Sequence, residues 1–417
     1  MPNRRNAFYL LLIASLVVGL ITGRSFLFNL AYVFGAILIV SLLWAWLSVQ
    51  WISVLRRTRS TRSQVGGVVD ESFAVINRSY LPRLWLEVRD HSTLSSHNAG
   101  HIVPAMAGRS TYTWHVQTPC HTRGEFQLGP MTIVSGDPFG FFVYPRTIPA
   151  KSKVIVFPQT VPVDHFTLPA GALSGGEAQR QRTHYVTTNA AGVREYAYGD
   201  SFNRIHWKSS ARRDQLMVKE FELDPMVDLW LMIDFSANSL VEEKSVRRVG
   251  GVGPVVPTQA GIPASTEEYG VVAAASLAEH FVQGERAVGF IAYVPQRVVH
   301  HAEHGMPQLT RILNTLATAR SFSTYTLQLM LSLENPHLPR GATLIVITSS
   351  ADTQWVSMLH ILSSRGIRPA VVFVNPASFG GPSGEEAVIA LRAARIPTLV
   401  VQKGDDLKTA LSKPMIY

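Results

Sequence analysis

The sequence predicts two transmembrane helices, then an all-β sandwich, then an α/β domain built on a mostly parallel sheet. Three observations predict this order. Two apolar runs without a charge fill most of the first 51 residues. Short segments rich in β-branched and aromatic residues crowd residues 63–159. From Asp228 onward, apolar strand-like runs alternate with helix-like ones. The predicted boundaries are a hairpin at 1–52, a sandwich at 60–160, a connector at 161–227 and the α/β domain at 228–417.

The runs Phe8–Gly23 and Phe26–Trp51 carry no charged residue. A spanning helix needs about 17–25 apolar residues, and backbone polar groups in lipid must bond internally, so both are predicted helical. Gly23-Arg24-Ser25 is the predicted turn between them. No small-residue cleavage site follows the first run, which argues against a removed signal peptide. Arg4 and Arg5 precede the hairpin, and Arg56, Arg57, Arg59 and Arg62 follow it. The positive-inside rule then predicts a cell-membrane protein with both ends, and the bulk of the chain, in the cytoplasm. Trp44, Trp46 and Trp51 suit the inner interface.

Segments such as VVDESFAVINRS, RLWLEVRDHS and KVIVFPQ are separated by Gly, Pro, Asn and Ser. This spacing predicts an immunoglobulin-like sandwich. Gly171, Gly175 and Gly176 lie in a stretch of weak periodicity, read as an extended connector. Leu229–Ile233 is apolar throughout, as in a strand buried on both faces. Strands and helices then alternate to Val401, which predicts a parallel sheet wrapped by helices. The Gly-, Pro- and Val-rich stretch Val241–Glu268 is expected to be a mobile loop.

The net charge is +9, from 38 Lys and Arg against 29 Asp and Glu. Juxtamembrane arginines facing an anionic leaflet account for part of it, and no nucleic-acid role is expected. Cys120 is the single cysteine, which excludes an intramolecular disulfide and is read as a buried thiol. No phosphate-binding loop and no nucleophile elbow occurs, so no catalytic residue is assigned. His300, His301 and His304 have metal-like spacing but read as a solvated loop. Asp234, Ser236 and Asn238 follow the first buried strand, where ligands of open α/β sheets sit. With Asp352 after a later strand, they are predicted to offer oxygen ligands to Mg²⁺ or another divalent cation. The run resembles the Asp-x-Ser-x-Ser adhesion motif of von Willebrand factor A domains, with Asn238 in the third place. A metal-dependent hydrolase at this site is the alternative to a non-enzymatic reading.

The stretch REYAYGDSFNRIHWKSSARRDQLMVKEFE, beginning at Arg194, carries the most specific pattern. It resembles the signature of the bacterial "domain of unknown function 58" family. The matching residues are Arg194, Glu195, Tyr196, Gly199, Asp200, Arg204, Ile205, His206, Trp207, Lys208, Ser210, Ala211, Arg212, Leu216, Val218, Lys219 and Glu220. RGEFQLGP and DPFGFF upstream resemble the family's accompanying β-domain. The resemblance implies a von Willebrand A-like (Rossmann-type) α/β domain. It also implies a membrane-anchored scaffold or adaptor that acts with a MoxR-type AAA+ ATPase in maturation or assembly of an unknown protein client. Two roles for the signature remain open. It is either a domain junction, with Asp200 paired to Arg204 and Trp207 buried, or a docking face that exposes Lys208, Arg212 and Arg213.

Overall fold

The structure is a computed structural model that describes residues 2–166, 190–196, 205–213, 215–221, 228–243, 247–248, 255–256 and 261–416. The chain divides into two compact units, residues 1–159 with 244–263 and 313–318, and the remainder.

The first unit opens with two helices, α1 (Pro2–Thr22) and α2 (Ser25–Ser48). Gly23 turns the chain between them at φ +68°, a left-handed value that disfavours a side chain. Its N–H bonds to Gly19 O at 2.9 Å. A side chain at Gly19 would come within 3.3 Å of Leu27, so glycine lets the helices approach. At 1.5 Å per residue, the 24 residues of α2 reach about 36 Å, enough for a bilayer's apolar core.

Ten strands follow: β1 (Ile52–Thr58), β2 (Arg62–Gln64), β3 (Val68–Asn77), β4 (Leu86–Asp90), β5 (His101–Val103), β6 (Thr111–Pro119), β7 (Gly124–Leu128), β8 (Met131–Gly136), β9 (Val143–Ile148) and β10 (Ser152–Phe157). They form three small sheets, ordered β1-β3-β6, β2-β10-β7 and β5-β4-β8-β9. The alternating burial of β3 matches its alternating sequence.

Two arginines join this β body to the end of α2. Arg83, 3% exposed, donates to Leu47 O at 2.7 Å and to Gln50 O at 3.0 Å. Arg146 donates to Val49 O at 2.9 Å. The last carbonyls of a helix lack intrahelical partners and carry its negative dipole end, so guanidinium groups suit them. Burial lowers the pKa of Arg83. Arg56, expected among the cations flanking the membrane, is instead buried and bonded to Glu71 and Asp90.

The second unit begins its described part with β11 (Ala190–Glu195), α3 (Trp207–Arg213) and β12 (Met217–Phe221). The predicted connector is therefore partly an antiparallel ribbon, β11 on β12. Later in the chain come β13 (Leu229–Ile233), then β14 (Arg247–Arg248) and β15 (Val255–Val256), which fall in the first unit, and then α4 (Thr266–Gln283), β16 (Val288–Val294), β17 (Gln296–Glu303), α5 (Met306–Thr318, its last six residues in the first unit), α6 (Leu327–Glu334), β18 (Thr343–Thr348), α7 (Gln354–Ser364), β19 (Arg368–Val374), α8 (Glu385–Ala393), β20 (Thr398–Val401) and α9 (Leu407–Leu411). The stretch expected to be a mobile loop contains the short β14–β15 ladder; its other residues lie largely outside those described.

The main sheet runs β17-β16-β13-β18-β19-β20, with β17 antiparallel at one edge and the rest parallel. Every residue of β13 is buried. Trp230 and Met232 pack with α6, α7 and α8 side chains such as Leu331, Leu359 and Leu391. Helix α4 packs against β13 and β18. One sequence expectation fails here. His300 and His301 are not in a loop but in edge strand β17. Successive strand residues face opposite ways, so the two imidazoles diverge. His300 stacks on Phe290, and His301 meets Trp230 edge-on.

Candidate functional site

Two places hold the predicted site residues, and both lie in the second unit. The first is the signature. Arg194 pairs with Val218 and Glu195 with Met217 across the ribbon. Tyr196 N–H donates to Leu216 O at 2.8 Å, and His206 N–H to Met217 O at 2.8 Å. Ile205, Met217 and Val218 are buried beneath. The start of α3 is tied by its own polar residues. His206 Nδ1 lies 2.7 Å from Ser209 Oγ. Ser210 Oγ donates to His206 O at 3.1 Å and accepts from Met217 N–H at 2.9 Å. This explains the small hydroxylic residue two places after Lys208: it links the helix to β12.

The outward face of α3 is polar and aromatic. Trp207 is 66% exposed, and Lys208, Arg212 and Arg213 are exposed beside it. The expectation that Trp207 is a buried anchor is therefore corrected. A single short helix with no buried residue presents no cavity for an indole, and Ile205 fills the buried place instead. Gly199, Asp200 and Arg204, with the proposed Asp200–Arg204 pair, lie outside the described residues. Lys219 pairs with Val193 in the ribbon.

The second place is Asp234. It follows β13, next to β18. Numbered by chain order within the sheet, the strands lie 3-2-1-4-5-6, so this junction of strands 1 and 4 is the switch point where open α/β sheets bind ligands. Asp234 N–H donates to Ile347 O at 2.9 Å. The carboxylate accepts from Ser236 N–H at 2.9 Å and from Thr348 Oγ1 at 2.7 Å. Both donors are neutral. Burial therefore pushes the Asp234 carboxyl above the usual range, although hydrogen bonds from Ser236, Thr348 and Ser239 oppose it.

A cavity of about 10 Å³, room for about one water-sized occupant, adjoins this carboxylate. It is lined by Asp234, Ser239, Thr266, Glu267, Thr348 and Ser349, among others. Ser349 Oγ and Thr266 Oγ1 both donate to Ser239 O, at 2.6 and 3.1 Å. Glu267 accepts from Ser321 N–H at 2.7 Å. Of the four predicted ligands, only Asp234 lines the cavity. Ser236 Oγ donates to Ser239 Oγ at 3.1 Å. Asn238 is exposed on a 3-10 turn, and Asp352 accepts from Gln354 N–H at 3.1 Å. Sequence reasoning missed Ser239 in the same loop, and Thr266, Glu267, Thr348 and Ser349, which come from two other chain segments. Among the described residues, no three Asp, Glu, His or Cys side chains converge to hold a metal. The donor set is nevertheless all oxygen, which suits a hard cation.

This cavity has a direct test. A carboxyl whose folded pKa is raised costs stability while ionised, and that cost fades as pH falls through the folded pKa. Asp234→Asn keeps the shape and removes the charge. It is expected to melt at or above wild type at neutral pH without metal. If Mg²⁺ binds the folded state, it raises the wild-type melting temperature by mass action, and the substitution should abolish that rise. A wild-type melting temperature indifferent to millimolar Mg²⁺ would leave Asp234 as a loop-organising residue.

Residues 192–249 match the family described as "Protein of unknown function DUF58". The chain is also 30% identical over 125 residues to "Uncharacterized protein YeaD" of Bacillus subtilis (strain 168), a match covering 30% of this chain. It spans 31% of that relative's length. Among solved structures, the pilus adhesin SpaC from Lactobacillus rhamnosus GG, in its open conformation, overlaps 44% of this chain and 29% of its own, at TM-score 0.31 and 11% identity. A beta-glucosidase from Listeria innocua overlaps 26% of this chain and 16% of its own, at TM-score 0.18 and 11% identity. Overlaps that slight carry no argument about fold or activity. The short helix and most of the ribbon built by the signature thus lie inside the segment that matches the DUF58 family model.

Proposed function

We propose that the chain is a membrane-anchored cytoplasmic adaptor that engages a MoxR-type AAA+ ATPase, and through it a protein client, by the outward face of α3. The carrying observation is Trp207, 66% exposed on a helix whose start is fixed by hydrogen bonds. A large aromatic held in water with no role in the core, on a short helix that also exposes Lys208, Arg212 and Arg213, has the composition of an interface hot spot. Its charge favours an acidic partner surface.

Other features support the same reading. The strand order 3-2-1-4-5-6, the antiparallel edge strand and the buried Asp234 at the switch point support a von Willebrand A-like second unit. The three sheets of the first unit are compatible with an immunoglobulin-like ancestry. The two apolar helices supply the anchor, and Arg4, Arg5, Arg57, Arg59 and Arg62 favour the cytoplasm for both ends. A reporter active only in the cytoplasm is expected to work when fused after Tyr417. Activity from an export-dependent reporter at that site would overturn the orientation. The partnership is tested by titrating a purified MoxR-type ATPase onto the full chain in nanodiscs. Saturable binding that weakens as salt rises is expected; binding absent at low salt would reject the proposal.

A further inference from the structure

The motif DPFGFF has no part in either site above. It forms the turn between β8 and β9, and its position against the helical hairpin is informative. Phe141 packs on Phe8 of α1, with ring centroids 4.6 Å apart, and Phe8 in turn meets Phe34 of α2 at 5.6 Å. Phe142 lies under the Arg5 guanidinium, 6.0 Å from ring centroid to charge. Phe8 is three residues into the apolar span from Arg5, about 4.5 Å along the helix. The turn therefore climbs beside the hairpin, from the level of its first charge to a level inside the span. Phe139 stacks on Phe141 at 5.7 Å and is itself 54% exposed. Val143 is 58% and Tyr144 40% exposed at the start of β9.

We infer that the β8–β9 turn is a membrane-immersed wedge, which seats Phe139, Val143 and Tyr144 in the lipid headgroup and upper acyl region beside α1. This rests on the reading of α1 and α2 as a membrane anchor. Two observations select lipid as the occupant. The turn packs on a hairpin whose own apolar side chains are exposed, Tyr9, Leu10 and Leu11 being 38–68% exposed. Much of the turn's backbone is also satisfied internally, as non-helical backbone near lipid requires. Asp137, 2% exposed, accepts from Phe142 N–H at 2.7 Å and from Phe139 N–H at 3.0 Å. Its own N–H bonds Phe142 O, and Gly140 N–H bonds Asp137 O, both at 3.2 Å. Pro138 has no N–H to satisfy. Aromatic rings with Tyr at the rim are the side chains that favour this zone.

The test uses the full chain in lipid bilayers, with Cys120→Ser as background. A fluorophore is attached at Phe139→Cys and, independently, at Val143→Cys. Ile13→Cys reports the span and Lys153→Cys the water phase. The expected result is loss of emission at 139 and 143 to acyl chains brominated near the carbonyls, with none at 153. If 13 is quenched while 139 and 143 behave like 153, the wedge is overturned and the anchor stands. If 139 and 143 are shielded from lipid and aqueous quenchers alike, a protein surface covers them and the inference is wrong. If 13 itself reads water, the anchor reading falls and takes the wedge with it.

Discussion

Glu71→Gln is expected to destabilise the first unit by about 3–5 kcal/mol, the range seen when one partner is removed from a buried charge pair. Glu71 is fully buried and bonds Arg56 through both oxygens, at 2.7 and 3.1 Å. Arg56 also reaches Asp90 at 3.0 Å, and His97 Nε2 lies 2.9 Å from Asp90. His97 Nδ1 lies 2.7 Å from Thr118 Oγ1, and Ser92 donates to Asp90. The cluster ties β1, the strand that follows the helical hairpin, to β3, β4 and β6. Losing one carboxylate leaves the buried guanidinium undercompensated. At about 2–4 °C per kcal/mol for a unit of this size, the melting temperature should drop by roughly 10 °C. Arg56→Met/Glu71→Met should be milder than Glu71→Gln alone, because it leaves Asp90 facing His97 and no orphaned Arg56. A double variant as unstable as the single would mean the pair is favourable beyond its desolvation cost.

The same cluster sets a pH response. Burial works to raise the Asp90 pKa, but hydrogen bonds from His97 and Ser92 and the charge of Arg56 hold it below the usual carboxylate value. A depressed folded pKa contributes stability above the unfolded value of about 3.9, and loses it as pH falls through the folded one. Acid unfolding below about pH 4 should therefore be shallower in Asp90→Asn than in wild type.

The second large effect is on binding. Trp207→Ala is expected to leave the melting temperature near wild type, since exposed substitutions usually stay within about 0.5 kcal/mol. Affinity for the ATPase should nevertheless fall by about 2 kcal/mol or more, roughly 30-fold, if Trp207 is a hot spot. Lys208→Glu/Arg212→Glu should act mainly on association rate, with the larger deficit at low salt. A Trp207→Ala protein that unfolds easily would return the helix to a structural role. Unchanged affinity in both variants would move the partner surface elsewhere.

Local chemistry made much of this chain legible from its sequence. The two apolar runs became α1 and α2, as expected of charge-free stretches of a length that would cross lipid, where only a helix satisfies every backbone group within the segment. The alternation of strands and helices predicted to run to Val401 does end there, with β20. The extension of edge strand β17 through His300–Glu303 was hidden because that segment is polar, and an edge strand with one wet face lacks the apolar run of its central neighbours. Helix α6 was missed because its eight residues make little more than two turns, too few for a periodicity to stand out.

The sequence by itself determined the two apolar helices, the alternation of strands and helices, the signature and the aspartate at the end of β13, because each is written in contiguous residues. Only the tertiary structure decided what those residues face. It exposed Trp207, buried Arg56, and surrounded Asp234 with Ser239, Thr266, Glu267 and Thr348 while leaving Asn238 and Asp352 outside. The physical reason is that burial and coordination depend on groups brought together from distant segments. Thr348 lies 114 positions from the Asp234 it bonds, and Arg56 lies 34 from Asp90. Neither spacing has a period or motif that a linear reading could recognise.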